Sequence, residues 1–242
     1  MRIKSTKKHA LISFVLIVVL LIATAMPASA SVDKTKIVTA SLNQWFNANN
    51  YDYFYDEKNG EAIYTYYVYK VTVPSDGYLE LSIKGWSLRL YKKLSDAVEH
   101  EYSREICEIH GNDTVKVAVD KGTYYVRAYG QVRCSFKAVK ATGNYCMAKA
   151  SRLAAKKTVT ACMSNKHYYS RWYKITLKRR KQITFWSNQG DQVYVYDAKG
   201  RELDTEHAGT QSTRYFTKKQ KKGTYYLRIT PWGNDVITLK WK

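Results

Sequence analysis

The sequence has none of the local patterns that signal catalysis or tight metal binding. His100-Glu101 lacks a second histidine at the spacing a zinc-binding helix requires, and there is no Gly-x-Ser-x-Gly elbow and no phosphate-cradling glycine loop. Histidine is scarce: beyond His9 there are only His100, His110, His167 and His207, each isolated as surface histidines usually are. The cysteines Cys107, Cys134, Cys146 and Cys162 form no Cys-x-x-Cys pair, which excludes a zinc knuckle or a redox motif of that type. Asp52, Asp56, Glu57 and Glu61 offer carboxylates for a calcium ion, but not at EF-hand spacing. No cofactor and no metal is therefore expected. An unrecognised hydrolase stays open as an alternative, because catalytic triads assemble in space and not in sequence.

The N-terminus carries an address. Arg2, Lys4, Lys7 and Lys8 precede an apolar run from Ala10 to Ala25, and Ala28-Ser29-Ala30 follows as a small-residue cleavage site. The run of 16 residues falls short of the roughly 20 that a spanning helix needs. Residues 1–30 are expected to be a signal peptide, with Ser31 as the new N-terminus and an uncleaved anchor as the alternative. No cysteine follows the run, so lipidation is not expected, and Trp241-Lys242 at the other end suggests no anchor. The chain is thus expected to be secreted or associated with the cell surface, where disulfides persist. Cys107 and Cys134 fall in the first half while Cys146 and Cys162 flank the junction. Pairings 107–134 and 146–162 are preferred on that ground, against four free buried thiols.

Three short boxes occur twice in the same order. Lys36-Ile37-Val38-Thr39-Ala40-Ser41-Leu42 matches Lys157-Thr158-Val159-Thr160-Ala161-Cys162-Met163. Tyr69-Lys70-Val71-Thr72-Val73 matches Tyr173-Lys174-Ile175-Thr176-Leu177. Lys121-Gly122-Thr123-Tyr124-Tyr125-Val126-Arg127 matches Lys222-Gly223-Thr224-Tyr225-Tyr226-Leu227-Arg228. The offsets of 121, 104 and 101 describe one domain present twice with different loops, over residues 31–145 and 146–242.

Between the boxes, apolar residues alternate with period two, the mark of half-buried strands. Tyr69, Val71 and Val73 share a face, as do Leu79, Leu81 and Ile83, and Val115, Val117 and Val119. The second half repeats this at Tyr173, Ile175 and Leu177, Ile183 and Phe185, Val193 and Val195, and Ile237, Leu239 and Trp241. Turn chemistry at Asn59-Gly60, Pro74 to Gly77, Asp197 to Gly200 and the two Lys-Gly pairs separates the strands. The expected fold class is all-β: two tandem antiparallel, jelly-roll-like β-sandwiches. Only residues 144–155, around the junction, are expected to hold a helical turn.

The Gly-Thr-Tyr-Tyr-x-Arg strand with its upstream Tyr-x-Val-x-Val strand resembles the bacterial pre-peptidase C-terminal domain, a family related to bacterial collagen-binding modules. The resemblance covers roughly 34–142 and 155–242. It implies a jelly-roll-like sandwich with an accessory or binding role, and it carries over no catalytic residue. The acidic linker motif that holds calcium in the collagen-binding relatives has only Asp33 as a counterpart between Ser31 and Ile37. Two accessory-type sandwiches account for the chain after the signal peptide, which points to a stand-alone, non-enzymatic protein.

Charge divides the halves. Residues 31–145 carry 15 Lys and Arg against 14 Asp and Glu, whereas residues 146–242 carry 21 against 6. The net charges of +1 and +15 place the basicity in one domain, which suggests a local electrostatic role, with a merely solvated basic face as the alternative. Loops after alternate antiparallel strands tend to share an end. The candidate anion-binding residues there are Lys178, Arg179, Arg180, Lys181, Lys199, Arg201, Lys218, Lys219, Lys221 and Lys222. The partner classes open to an exported chain are teichoic acid, an anionic polysaccharide or a glycosaminoglycan, with phospholipid head groups and extracellular DNA also accessible. Intracellular nucleic acid is not.

The first half holds 17 more residues between its first two boxes than the second. Tyr51 to Tyr55 and Ile63 to Tyr67 read as an extra β-hairpin across Asn59-Gly60. Trp45, Tyr53 and Tyr55 are its candidate surface aromatics, able to stack on sugar rings or anchor a protein partner. Covering the sheet or the interdomain surface is the preferred alternative. The leading expectation is a secreted binding protein that holds an anionic envelope or host-surface polymer, and the second is a structural or protein-binding module that uses the hairpin.

Overall fold

Residues rich in Val, Ile, Tyr and Thr at alternating positions form strands over most of the chain. The computed structural model describes residues 34–58, 60–140, 142–164, 166, 169–188, 193–208 and 213–242, and the expected signal peptide over 1–30 lies outside them. In the first half are β1 (Lys34–Thr39), β2 (Trp45–Ala48), β3 (Tyr51–Asp56), β4 (Glu61–Val73), β5 (Gly77–Tyr91), β6 (Glu105–His110), β7 (Asp113–Val119) and β8 (Gly122–Ala138). The second half has β9 (Ser151–Arg152), β10 (Thr158–Met163), β11 (Arg171–Leu177), β12 (Thr184–Ser187), β13 (Val193–Tyr196), β14 (Thr205–Ala208), β15 (Thr213–Thr217), β16 (Gly223–Ile229) and β17 (Asp235–Trp241). The chain is all-β. It divides into two compact units: the hairpin Asp52–Thr65 with Lys34 among the described residues, and a larger unit of Thr35–Tyr51 with Tyr66–Lys242.

Among the described residues helix is confined to short pieces. A 3-10 turn at Met147–Lys149 falls in the expected stretch, but α1 (Leu94–Val98) and a 3-10 turn at Tyr102–Arg104 fall outside it. This corrects the expectation that only the junction would turn helically. Ala97 packs with Val68 and Tyr91, and Leu94 sits against that cluster. A single i, i+3 apolar pair between charged neighbours leaves too little periodicity to be read from sequence.

In the larger unit β5 and β8 are the spine of the first half. They pair along the whole of β5, from Gly77 opposite Ala138 to Tyr91 opposite Tyr125. The N-terminal part of β5 also pairs with β7 and its C-terminal part with β6, while β8 pairs with β4 first and β2 later. The change of neighbours falls at a bulge between Gly85 and Ser87. The bulge adds one residue, Trp86, and so shifts the inward parity of β5. Leu79, Leu81 and Ile83 before it and Leu88 and Leu90 after it all enter the same core. Without the extra residue one of these runs would face water.

The second half packs two sheets around its own core, one ordered β13-β16-β11-β9 and the other β10-β17-β12-β15-β14. Ile175, Ile183, Phe185, Val195, Leu227, Ile237 and Leu239 are fully buried there, and every apolar face read from the second half's alternation is buried. The second and third repeated boxes pair in one register in both halves, whereas the first lies on β1 beside β4 in one half and on β10 beside β17 in the other. Tyr69 faces Val126 and Val73 faces Gly122; Tyr173 faces Leu227 and Leu177 faces Gly223. Within each heptad a tyrosine closes the preceding turn: the Tyr124 hydroxyl donates to the Asp120 carbonyl and the Tyr225 hydroxyl to the Lys221 carbonyl, both at 3.0 Å. The halves touch where Ala118 N donates to Asn234 O at 2.9 Å and where the Asp120 carboxylate accepts from the Ser164 hydroxyl.

All four cysteines are free, which overturns the preferred pairings. Cys107 on β6 lies opposite Leu90 and Cys134 on β8 opposite Leu81, and both belong to the first core. Cys162 pairs across to Val236 on β17, and Cys146 stands at the start of a 3-10 turn. Only Cys134 is fully buried, yet desolvation pushes the thiols of Cys107, Cys134 and Cys162 up to about 12.

Candidate functional site

The register of β11, β16 and β13 determines which basic loops share an end. Leu177 faces Gly223 and Tyr196 faces Tyr226. The chain therefore leaves β11 and β13 at the end where residues 218–222 lead into β16. Lys181 and Gln220 go further and exchange backbone hydrogen bonds at 3.0 and 2.9 Å. That pair of bonds laces the Lys178–Lys181 loop to the Lys218–Lys222 loop.

Lys178, Arg179, Arg180, Lys218, Lys219, Lys221 and Lys222 are exposed, whereas Lys181 is half-buried with its ammonium 5.5 Å from the Trp241 ring centre. Lys199 is exposed on the neighbouring turn. Arg201 differs from the rest: its Nε and one terminal nitrogen both lie 2.8 Å from the Asp197 carboxylate. Asp197 also accepts from the backbone N–H groups of Lys199 and Arg201, and these bonds, that from Arg201 foremost, hold its carboxyl below the usual range. The fork of Arg201 is therefore occupied in holding its own turn.

Two residues that the sequence reading passed over belong to this end. Arg152 sits on β9, paired in parallel with β11 opposite Lys174. Together with Lys178, Arg179, Lys181 and Trp241 it lines a groove of about 650 Å³. Trp241 is a buried wall, held by its indole N–H donating to Leu153 O at 2.8 Å. A two-residue strand has no periodicity to announce it, so Arg152 was out of reach of pattern reading. The arrangement is chemically simple: several cations border a groove whose floor is apolar, as suits a linear chain carrying repeated anions.

The aromatic candidates have a different setting. In the hairpin unit Tyr53 is 67% and Tyr55 53% exposed, and Phe54 on the opposite face is exposed too. The preference for these rings as cover for their own sheet is thus overturned, since a two-stranded ribbon leaves its faces to solvent. Tyr53 lies beside its cross-strand neighbour Tyr64, with ring centres 6.3 Å apart. Trp45, on β2 of the larger unit, is 42% exposed and carries Lys84 and Arg133 over its ring at 4.9 and 5.1 Å. Of the candidate calcium ligands, Asp56 accepts from Lys58 N at 3.0 Å within the hairpin turn. Among the described residues no three His, Cys, Asp or Glu side chains are arranged to hold a metal ion.

No protein-family profile matches the chain. No curated protein matches it either. Among solved structures it is similar to the pre-peptidase C-terminal domain of a collagenase from Bacillus anthracis, at 15% identity and a TM-score of 0.33, over 38% of this chain and 94% of that one.

Convergent polar groups with shifted ionisation do occur beside α1. Arg89 pairs with Glu105 at 3.3 Å and with Glu108, and His110 lies 3.2 Å from Glu108. His100 Nε2 is 3.4 Å from Arg89, and burial, reinforced by Arg127 and Arg89, lowers its pKa. Arg127 is buried, donating to the Ala97 carbonyl and to the Asn50 side chain. These bonds tie α1 to the sheet, so the cluster has a structural account.

Proposed function

We propose that this is an exported, non-enzymatic binding protein built from two copies of one β-sandwich, in which the second copy holds an anionic polymer at its basic end. The identical pairing register of the second and third repeated boxes supports the two-copy reading. The observation that carries the binding reading is the Lys181–Gln220 bridge, which joins two of the lysine-rich loops, the first of which borders the groove of Arg152 and Trp241. Holding so many like charges at one end opposes folding by repulsion, and a bound polyanion relieves it. Teichoic acid, an anionic polysaccharide or a glycosaminoglycan has the required repeat of charges.

The test is retention on immobilised heparin and on teichoic acid over a salt gradient. Binding should collapse toward roughly 1 M salt, where the Debye length is about 3 Å. Reversing Arg179, Arg180, Lys219 and Lys221 to Glu should abolish retention and leave the fold intact, since all four are exposed. A variant that binds either surface as well as the parent does would refute the reading. A second reading is favoured by the exposure of Tyr53 and Tyr55: the hairpin docks a protein partner, in which case binding resists salt and is lost on Tyr53→Ser with Tyr55→Ser. Export is checked separately, by whether the secreted form begins at Ser31.

A further inference from the structure

Trp86 is the extra residue of the β5 bulge, and its side chain is 78% exposed. A lone exposed ring carries no meaning by itself; what counts is whether it adjoins other groups in a concave, shared surface. The backbone around it is held from both sides. Asn112 accepts from Gly85 N at 2.9 Å, and the Trp86 carbonyl accepts from Gly111 N at 2.9 Å. The turn between β6 and β7 therefore fixes the bulge, while the indole itself stays free. Tyr129, opposite Ser87 on β8, is 51% exposed beside it.

These two rings border an open groove of about 530 Å³, within the roughly 300–1,000 Å³ typical of small-ligand sites. The rest of its lining is distinctive. Asn47, Asn49 and Gln131 contribute carboxamides, each both donor and acceptor, and the floor is backbone at the Gly85–Gly130 crossing. No carboxylate lines it, and its one cation, Lys84, lies 4.9 Å from the Trp45 ring centre. Flat rings beside several amides suit a ligand with one apolar face and a fringe of hydroxyl groups. Carbohydrate rings have that chemistry: axial C–H bonds stack on an aromatic face while the equatorial hydroxyls bond to amides.

We propose that this groove binds a pyranose unit of an uncharged glycan, with Trp86 as the stacking platform, Tyr129 as the side wall and Asn47, Asn49 and Gln131 as the hydroxyl-reading groups. The site lies in the first half and does not rest on the basic end of the second. A protein with both would hold a polymer by its charge and a sugar by its shape.

The experiment is calorimetric titration of the full chain with chitotetraose, cellotetraose, maltotetraose and mannotetraose, at roughly 0.15 M and 1 M salt. At least one should bind saturably, with affinity changing less than about twofold between the two salts. Trp86→Ala should weaken it by tenfold or more, and Trp86→Phe should retain most of it. The charge-reversed loop variant should bind as the parent does. Chitotetraose would indicate a wall-type glycan, and mannotetraose a host or fungal type. The absence of saturable binding to all four, undiminished binding by Trp86→Ala, or a collapse of binding at high salt each overturns the proposal. Trp86→Ala should melt with the parent, because the ring is exposed and its backbone bonds remain, so loss of binding would not report unfolding.

Discussion

Replacing Gly130 by alanine tests the geometry on which the first half turns. Gly130 has φ +138° and lies opposite Gly85 in the β5–β8 pair. A Cβ there would stand 2.5 Å from the Lys84 carbonyl oxygen and 2.7 Å from Gly85 Cα. Both are backbone atoms of a paired strand, so the strands must separate where the sheet changes neighbours. Overpacking of this kind costs about 1–3 kcal/mol. A side chain held in a backbone region that L-residues rarely adopt adds about 1–3 kcal/mol. The sum, about 2–6 kcal/mol, corresponds to a fall in melting temperature of roughly 4–24 °C for a chain of this size. Gly143 is the control, because a Cβ there meets nothing within 4 Å, and its alanine variant should stay within about 0.5 kcal/mol of the parent. Urea titration followed by hydrogen exchange at the buried residues Val126 and Val132 reads the first core directly. If Gly130→Ala and Gly143→Ala prove equally stable, the close crossing of β5 and β8 is wrong, and the placement of Trp86 falls with it.

Other outcomes follow from the same contacts. Tyr124 both donates to Asp120 O and accepts from Asp120 N, whereas Tyr225 donates to Lys221 O. Tyr124→Phe should therefore cost more than Tyr225→Phe, about 2 against about 1 kcal/mol in thermal or urea unfolding. With thiols pushed up to about 12, Cys107, Cys134 and Cys162 should resist iodoacetamide at pH 8 in the native protein and react once it is denatured, as mass spectrometry of the labelled peptides would show. His100 has a lowered pKa, so the unfolded chain takes up its proton first. Its contribution to stability should be complete above the unfolded value of about 6.5 and decline as pH falls below it. His100→Asn, which tolerates the left-handed backbone at φ 59°, should flatten that decline in melts between pH 7 and 5.

Much of the fold was legible because strand faces follow from local periodicity. An i, i+2 pattern such as Ile183 with Phe185 settles which side is buried as soon as one side meets a core, and both residues are buried. The hairpin was legible for the same reason, with Asn59-Gly60 between two aromatic runs. Its exposure was not, because burial depends on what else reaches a strand. The expected disulfides failed on a related point. Position in the chain suggested partners, but Cys107 and Cys134 stand on different strands opposite Leu90 and Leu81 and remain thiols, because strand register and not sequence spacing sets where two sulfurs lie. The helix α1 escaped because its order comes from docking on Val68 and Tyr91, not from its own propensity.

By itself the sequence determined the all-β class, the inward residues of most strands and the concentration of positive charge in residues 146–242. These are properties of composition and of neighbours one or two positions apart. Tertiary structure alone decided that Lys181 pairs with Gln220, that Arg152 joins Lys178 and Arg179 around one groove, and that Arg201 is held by Asp197. It alone set Trp86 and Tyr129 beside three carboxamides. The physical reason is that strand order and register are settled by closing a common core, which brings together residues tens of positions apart and leaves no trace in local pattern.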